Sequence, residues 1–297
     1  MGQIMVLLST YNGERYLREQ LDSVLAQKEA DVRILVRDDG SCDDTVPILE
    51  EYRKKGALEY FSGAHLGAAG SFLELLSCAP ESPSYALCDQ DDIWMPEKLK
   101  TAAAGLAGRK GPALFYHGVT LTDMEGRETG YYFREQGKAQ NLAYSVLFGD
   151  EIPGCTMVLN RALAEAVNAY RPDYVTIHDA WIHRVCLCVG GTVIGEEKPF
   201  LYYRQHDRNT IGMKKRTLQE QLAQFMRRER KFSRLAGEML KGYAAYLSEN
   251  DRELLERLSD CHVGWKNKGV VLRQGLYSRA SNEEKMKLAA KVLYGTL

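Results

Sequence analysis

The stretch Tyr85-Ala86-Leu87-Cys88-Asp89-Gln90-Asp91-Asp92-Ile93-Trp94-Met95-Pro96-Glu97-Lys98 decides how the rest of the chain is read. It opens apolar, as a short buried strand does. It then sets Asp89, Asp91 and Asp92 almost side by side, and Pro96 followed by Glu97 reads as a restart into a helix. Carboxylates crowded at the end of a buried strand repel one another, so a partner of opposite charge is required. A hard divalent cation, Mg²⁺ or Mn²⁺, takes one or two such carboxylates together with substrate phosphates. Asp89-x-Asp91 is therefore expected to hold a metal and a nucleotide. The plainer alternative is an acidic cap for the helix at Pro96. Taken alone, Asp-x-Asp favours the cap; the surrounding chain shifts the balance.

Upstream, Ile4 to Leu8 reads as a buried strand, Ser9 to Gly13 as a loop, and Glu14 to Gln27 as a helix. Leu17, Leu21, Val24 and Leu25 give that helix one apolar face. A second strand, Val32 to Val36, ends in Arg37-Asp38-Asp39-Gly40-Ser41, and Asp43 and Asp44 cap the next helix. Leu58 to Phe61 is a third strand candidate, and His65 to Gly70 a small-residue loop entering a helix. Strand alternating with helix predicts an α/β fold, a mainly parallel central sheet flanked by helices. Such sheets bind ligands at the carboxyl ends of their strands. Thr10-Tyr11, Asp38-Asp39 and Asp89–Asp91 should therefore meet on one rim. Gly67 to Gly70 has neither Gly-Lys-Ser/Thr nor G-x-G-x-x-G, so close helix–strand packing is preferred to phosphate binding there. That also disfavours an NTPase or an NAD enzyme.

Downstream, Ala113 to Leu121 reads as a strand with a hairpin at Asp123-Met124-Glu125-Gly126, with Tyr131, Tyr132 and Phe133 in the following loop. Gln140 to Phe148 reads as a helix. Ile152 to Asn160 is a turn feeding a strand, and His178-Asp179 opens another helix. Phe200 to His206 is a strand with a polar exit. From about Gly212 helix formers dominate, with a basic amphipathic segment over residues 214–234 that includes Lys214, Lys215, Arg227, Arg228, Lys231 and Arg234. Such a segment is more commonly a solvated face packed by its apolar stripe; its functional reading is peripheral contact with an anionic membrane surface.

The 297 residues, 45% of them hydrophobic, suffice for one large α/β domain with an appendage. A net charge of −1 carries no basic field of the nucleic-acid-binding kind. Seven scattered cysteines without paired metal spacing read as reduced thiols. The short N-terminal apolar run lacks a basic flank, and no run reaches transmembrane length. The expectation is a cytoplasmic protein, soluble or peripheral at the inner face of the membrane.

Ser9-Thr10-Tyr11-Asn12-Gly13-Glu14, Asp38-Asp39-Gly40-Ser41 and Asp89-Gln90-Asp91-Asp92-Ile93-Trp94-x-Pro96-x-Lys98 together resemble the inverting family 2 glycosyltransferases, in particular their rhamnosyltransferase-like branch. Gly154-Cys155-Thr156-Met157, His178-Asp179-x-Trp181 and Tyr203-Arg204-Gln205-His206 fit the same order. The resemblance implies a GT-A fold: a catalytic domain over 1–211, with a nucleotide-binding half (1–98) and an acceptor-binding half (99–211), then a C-terminal helical region (212–297). It implies that Thr10 and Tyr11 line the base pocket and that Asp39 accepts from the N3–H of uracil or thymine. Asp89 would reach the ribose or the metal, Asp91 would coordinate the divalent ion, and His206 would add a contact. Gly154, Cys155 and Trp181 would face the acceptor, although a Trp at helical spacing is more often core. Asp179 is the implied catalytic base; its plainer reading is a helix cap, and a helix N-terminus would lower its basicity. His178 ranks second, as a group able to titrate near neutral pH.

The implied partners are a dTDP- or UDP-sugar donor and a polysaccharide or lipid-linked glycan acceptor, with Mn²⁺ or Mg²⁺ as cofactor and no nucleic acid. His65 and Ser71 stand where many such sequences carry Asn, and Asp207-Arg208 replaces a commoner Gly-Asn. Those departures bear on the donor sugar. A sugar nucleotidyltransferase is the competing enzyme class, but it needs a basic Gly-rich loop after the first strand, and Ser9 to Gly13 has no Lys. A non-catalytic nucleotide-sugar-binding relative is the third reading.

Overall fold

Ile4, Met5, Val6, Leu7 and Leu8 are all essentially inaccessible to solvent, as a strand covered on both faces must be. They belong to β1 (Ile4–Thr10), which runs parallel to β2 (Val32–Asp38) on one side. The computed structural model describes residues 2–148, 152–205, 231–260, 265–277 and 280–294. β3 (Glu59–Ser62) extends the sheet beyond β2, and β4 (Ser84–Cys88) lies parallel to β1 on its other side. Helices α1 (Leu17–Leu25), α2 (Thr45–Lys54) and α3 (Gly67–Cys78) make the crossovers. Met5 and Leu7 join one apolar cluster, Ile4, Val6 and Leu8 the other, so the two-residue side-chain period of the strand assigns each to one face of the sheet.

After β4 come a two-residue strand β5 (Ile93–Trp94), α4 (Lys98–Leu106), β6 (Ala113–Thr122) and β7 (Glu128–Tyr132). Then follow α5 (Gln136–Ala139), α6 (Leu142–Phe148), a 3-10 turn over Gly154–Thr156, β8 (Val158–Asn160), α7 (Arg161–Asn168), α8 (His178–Cys188) and β9 (Thr192–Arg204). The sheet order is β3-β2-β1-β4-β8-β6-β9-β5, with β7 paired to β6. β8 is antiparallel to both β4 and β6, while β6 and β9 are parallel. β1 has its sequence neighbour β2 on one side and β4 on the other, so the crevice at their carboxyl ends is the switch point where such sheets bind ligands.

Several local expectations change. α4 begins at Lys98, and Glu97 in the capping position makes no side-chain cap bond. β5 also stands between the acidic residues and the helix, so Asp89 to Asp92 do not cap α4. Tyr131 and Tyr132 lie in β7, not in a loop; the helix expected over Gln140 to Phe148 is α6, and a further one-turn helix, α5, precedes it. Gly67 opens α3 with φ +71°, where a Cβ would meet nothing within 4 Å, while a Cβ on Gly70 would meet the Leu66 Cβ at 2.8 Å. These glycines make the turn into α3; they do not bring a helix close to a strand.

The C-terminal helices α9 (Lys231–Tyr243), α10 (Glu249–Ser259), α11 (Trp265–Tyr277) and α12 (Asn282–Tyr294) do not form a core of their own. Met239, Tyr243, Leu255, Val271 and Leu288 join the same cluster as Trp181, Ile182 and Val146. Residues 214–230 of the basic segment lie outside the described residues, as does His206; Arg234 stacks over the Tyr174 ring at 3.9 Å. Among the described residues no helix is long and apolar enough to cross a membrane.

Candidate active site

The carboxyl ends of β1, β2 and β4 place Thr10-Tyr11, Asp38-Asp39 and Asp89 on one rim. Gln90 ties the first of these to the third. Its Oε1 accepts from the Thr10 hydroxyl at 2.7 Å and the Tyr11 N–H at 2.8 Å, and its Nε2 donates to the Tyr11 carbonyl at 3.2 Å. A Cβ on Gly13 would come within 2.5 Å of that same Oε1, which explains the glycine. Thr10 is buried with its hydroxyl committed to Gln90, so it shapes the pocket through the backbone, where its carbonyl accepts from the Asp39 N–H at 2.8 Å. Tyr11 keeps 43% of its surface exposed and offers a ring face. Sequence reading had given Gln90 no role, because its importance lies in reaching across to a strand some eighty residues away.

Asp39 is almost fully buried and its two oxygens are already occupied. Oδ1 takes the Arg37 guanidinium and the Leu66 N–H, the latter at 2.8 Å. Oδ2 takes the Gly67 N–H at 2.8 Å, and the His65 Nδ1, whose hydrogen bond is to the Asp39 backbone carbonyl at 3.3 Å, lies 2.9 Å from it. A carboxylate has about four good acceptor positions, so a pyrimidine N3–H must exchange with one of these groups. His65 is the exposed one, and its ring lies 4.4 Å from that of Tyr11. Ser71, buried, accepts from Ser9 at 2.6 Å and stands 3.3 Å from Arg37.

The segment after β4 bends instead of running on extended, and this decides which carboxylates meet. Among the described residues, ligand atoms of Asp89, Asp92 and Cys155 lie within 4.8 Å of one another; Asp91 is not in that group. In an extended chain the i and i+2 residues, Asp89 and Asp91, would share a face. The bend gives that proximity to i and i+3. Burial, and then the Asp91 charge, push the Asp89 carboxyl up to about 7, with Lys98 opposing. Asp92 is pushed well above the usual range by burial and by both neighbouring carboxylates. Its Oδ2 has no hydrogen-bond partner, while Oδ1 is 3.4 Å from the Arg204 N–H. Arg204 itself donates to the Asp91 carbonyl at 3.2 Å and to Glu19 at 2.6 Å, anchoring the bend to β9. Two crowded carboxylates with a raised proton affinity, Asp89 and Asp92, and an unpaired buried oxygen on the second are a donor set a hard divalent cation takes.

Asp179 sits in the first turn of α8. Its Oδ2 accepts from the Gly154 N–H at 3.2 Å and its Oδ1 from the Ala180 N–H at 2.6 Å. Those bonds favour the anion, but burial outweighs them and the nearby Asp89 charge adds to it, so the carboxyl rises to about 7. The helix-terminus argument for a weakened base is thus overturned by desolvation, the larger effect for a group only 9% exposed. His178 is buried and stacked 3.9 Å from the Phe72 ring, with neither ring nitrogen hydrogen-bonded. Burial pushes it down to about 3, so it does not titrate near neutral pH.

The acceptor-facing expectations do not hold in this structure. Trp181 is fully buried, packed 6.0 Å from Tyr243 and 6.4 Å from Tyr170 by ring centroids. Cys155 is 1% exposed and turned toward Asp92. Gly154 is buried, and a Cβ there would meet the His178 Nε2 at 2.5 Å and the Asp179 Cβ at 3.3 Å. Gly154 therefore positions Asp179 and does not present a surface to an acceptor.

A switch-point crevice carrying an acidic bend and a buried carboxylate within reach of its charge is the arrangement expected of a GT-A glycosyltransferase. Residues 5–167 match the family model "Glycosyl transferase family 2", and the chain belongs to that family. It is 28% identical over 221 residues to the dTDP-rhamnosyl transferase RfbG of Shigella flexneri, covering 69% of this chain and 73% of that protein. A Rickettsia typhi protein described as an uncharacterized glycosyltransferase is 24% identical over 272 residues, covering 90% of this chain and 81% of its own length. Among solved structures, S. aureus TarS 1–349 superposes with a TM-score of 0.60 at 17% identity, over 98% of this chain and 90% of that one. The mannosyltransferase PcManGT of Pyrobaculum calidifontis, solved with GDP-Man and Mn²⁺, gives 0.51 at 13% identity, over 100% of this chain and 81% of its own.

Proposed function

We propose that this glycosyltransferase moves rhamnose or a similar sugar, with inversion, from a dTDP- or UDP-linked donor to a hydroxyl of a polysaccharide or lipid-linked glycan. The observation that carries this reading is Asp179: a buried carboxyl with its affinity for a proton raised to about 7, close enough to Asp89 to feel its charge, and held by the Gly154 N–H. It takes the acceptor proton as the acceptor oxygen bonds the anomeric carbon, and the bond from that carbon to the diphosphate breaks with its electron pair going to the leaving group. A base whose pKa lies near the working pH is both available and strong enough. Asp89 and Asp91 would hold the divalent cation, which supplies Lewis-acid stabilisation of the departing diphosphate. Tyr11 stacks on the base, and Asp39 receives its N3–H once His65 gives way.

Support for the donor class comes from RfbG, described as acting with dTDP-rhamnose, and from TarS, solved with UDP-GlcNAc. Nothing in the Ser9 to Gly13 loop supplies the basic residue a nucleotidyltransferase needs. Titration with UDP, dTDP and GDP, with and without Mn²⁺, followed by donor screening for released nucleoside diphosphate, tests the reading. Metal-dependent binding of a pyrimidine diphosphate is expected. No binding under any condition would overturn it, and binding without turnover of any donor would favour the non-catalytic relative. The placement at a membrane face rests on the basic segment 214–234; flotation on liposomes with and without anionic lipid decides it, and equal recovery from both would remove the idea.

A further inference from the structure

Lys98 is the first residue of α4 and has no exposed surface. A lysine so placed is rare, because its ammonium must be paired or lose its charge. Here the Nζ donates to the Cys155 carbonyl and lies 3.6 Å from the centre of the Trp94 ring. Asp92 and Asp89 both face it closely enough to favour its charged form. Burial is the larger influence and pulls it down to about 8, so it still carries its charge at neutral pH. The same ammonium thus faces the acidic bend on one side and the turn holding Asp179 on the other. That turn contains both the Cys155 carbonyl and the Gly154 N–H.

We propose that Lys98 is a positioning residue that acts as a built-in counter-ion: it keeps the Asp89–Asp92 bend folded before the divalent cation arrives and limits how tightly that cation is held. This rests on the divalent-cation reading of the preceding section. Without an internal cation, three carboxylates at one strand end would splay apart or take up protons. With it, a buried positive charge sits close enough to Asp92 and Asp89 to offset their repulsion, so the bend can hold its carboxylates together for the incoming ion. A divalent ion must then bind against the field of a fixed positive charge. A unit charge about 6 Å from a divalent ion weakens binding about tenfold even at water-like screening. For a transferase that must release its nucleoside diphosphate each cycle, a cation held less tightly by the protein leaves with the product.

The test is Mn²⁺ titration, read by the paramagnetic resonance of the free ion, on the wild type, Lys98→Met, Asp92→Asn and the double variant. All four are checked first for a wild-type circular dichroism spectrum. Lys98→Met should bind Mn²⁺ about tenfold more tightly, and Asp92→Asn more weakly than wild type. The double variant, which removes one charge of each sign from the bend, should return to near the wild-type value. A purely structural lysine would instead give unchanged or weaker binding in a folded Lys98→Met, and that result overturns the proposal. Should Lys98→Met fail to fold, the double variant still decides: affinity near wild type supports the counter-ion role, and affinity as weak as Asp92→Asn alone refutes it. If the wild type itself shows no Mn²⁺ binding, with or without UDP, the cation reading has failed and not the assignment of Lys98 within it.

Discussion

Asp179 shows how much one carboxylate can change when its surroundings are fixed. Asp179→Asn should leave nucleotide affinity unchanged and reduce transfer by at least about a hundredfold, the usual scale for losing a general base; a variant that turns over normally removes the assignment. Because the carboxyl titrates at about 7, transfer at saturating Mn²⁺ should rise with pH and level off above that value. Saturating metal matters, since Asp89 also rises to about 7 and a proton there competes with the cation. The linkage has a definite sign. A folded pKa above the ordinary carboxyl value means the fold prefers the protonated form, so stability is lost as pH climbs from about 4 to about 7. Asp179→Asn should accordingly melt higher than wild type at pH 8, with the difference shrinking toward pH 4; equal melting curves at both would contradict it. His65 makes a second prediction at this scale. Its ring crowds the Asp39 Oδ2 that an N3–H must reach, so His65→Ala should bind UDP about fivefold more tightly, on the scale of one hydrogen bond. Weaker binding would show instead that the ring belongs to the bound pocket.

At the scale of the element, the site depends on turns whose shape is set by distant side chains. Gln90 clamps the Tyr11 backbone at the end of β1, and Gly154 holds Asp179 at the start of α8. Gly154→Ala would drive a methyl into the His178 ring, which is itself stacked against Phe72. It should lower kcat by about a hundredfold, as a misplacement of about 1 Å does, with little change in nucleotide affinity. The opposite split is expected of Gln90→Leu, which frees the Tyr11 loop and should raise the Kd for UDP while sparing the base. Binding and single-turnover measurements on the two variants side by side would expose any exchange of these roles.

Across the whole molecule, the C-terminal helices and the catalytic sheet share one apolar core. Tyr243 of α9 is 1% exposed and packs on Trp181 of α8, three residues from the end of α8 that carries the base. A chain cut to residues 1–211 should therefore be insoluble or lack a cooperative melt, and Tyr243→Ala in the full chain should cost about 3–5 kcal/mol, the range for a large buried aromatic. Denaturant unfolding of the intact chain should show one transition. Two well-separated transitions would mean that the helical region is an independent unit after all.

The near-continuous apolar runs at Ile4 to Leu8 and Val32 to Val36, with helical periodicity between them, were enough to set a parallel sheet and its loaded rim, because hydrophobic patterning is local. Asp39 and Asp89 were likewise legible as polar strand ends on that rim, whereas Asp179 was singled out by the family resemblance, its position alone reading equally as a helix cap. Three things were decided only when the chain closed on itself. The bend after Cys88 paired Asp89 with Asp92, burial made Asp179 a stronger base than its helix terminus would allow, and the core claimed Trp181 and the C-terminal helices. Each depends on how much water and which charges surround a group. Those are properties of distant residues brought together, and no stretch of sequence carries them alone.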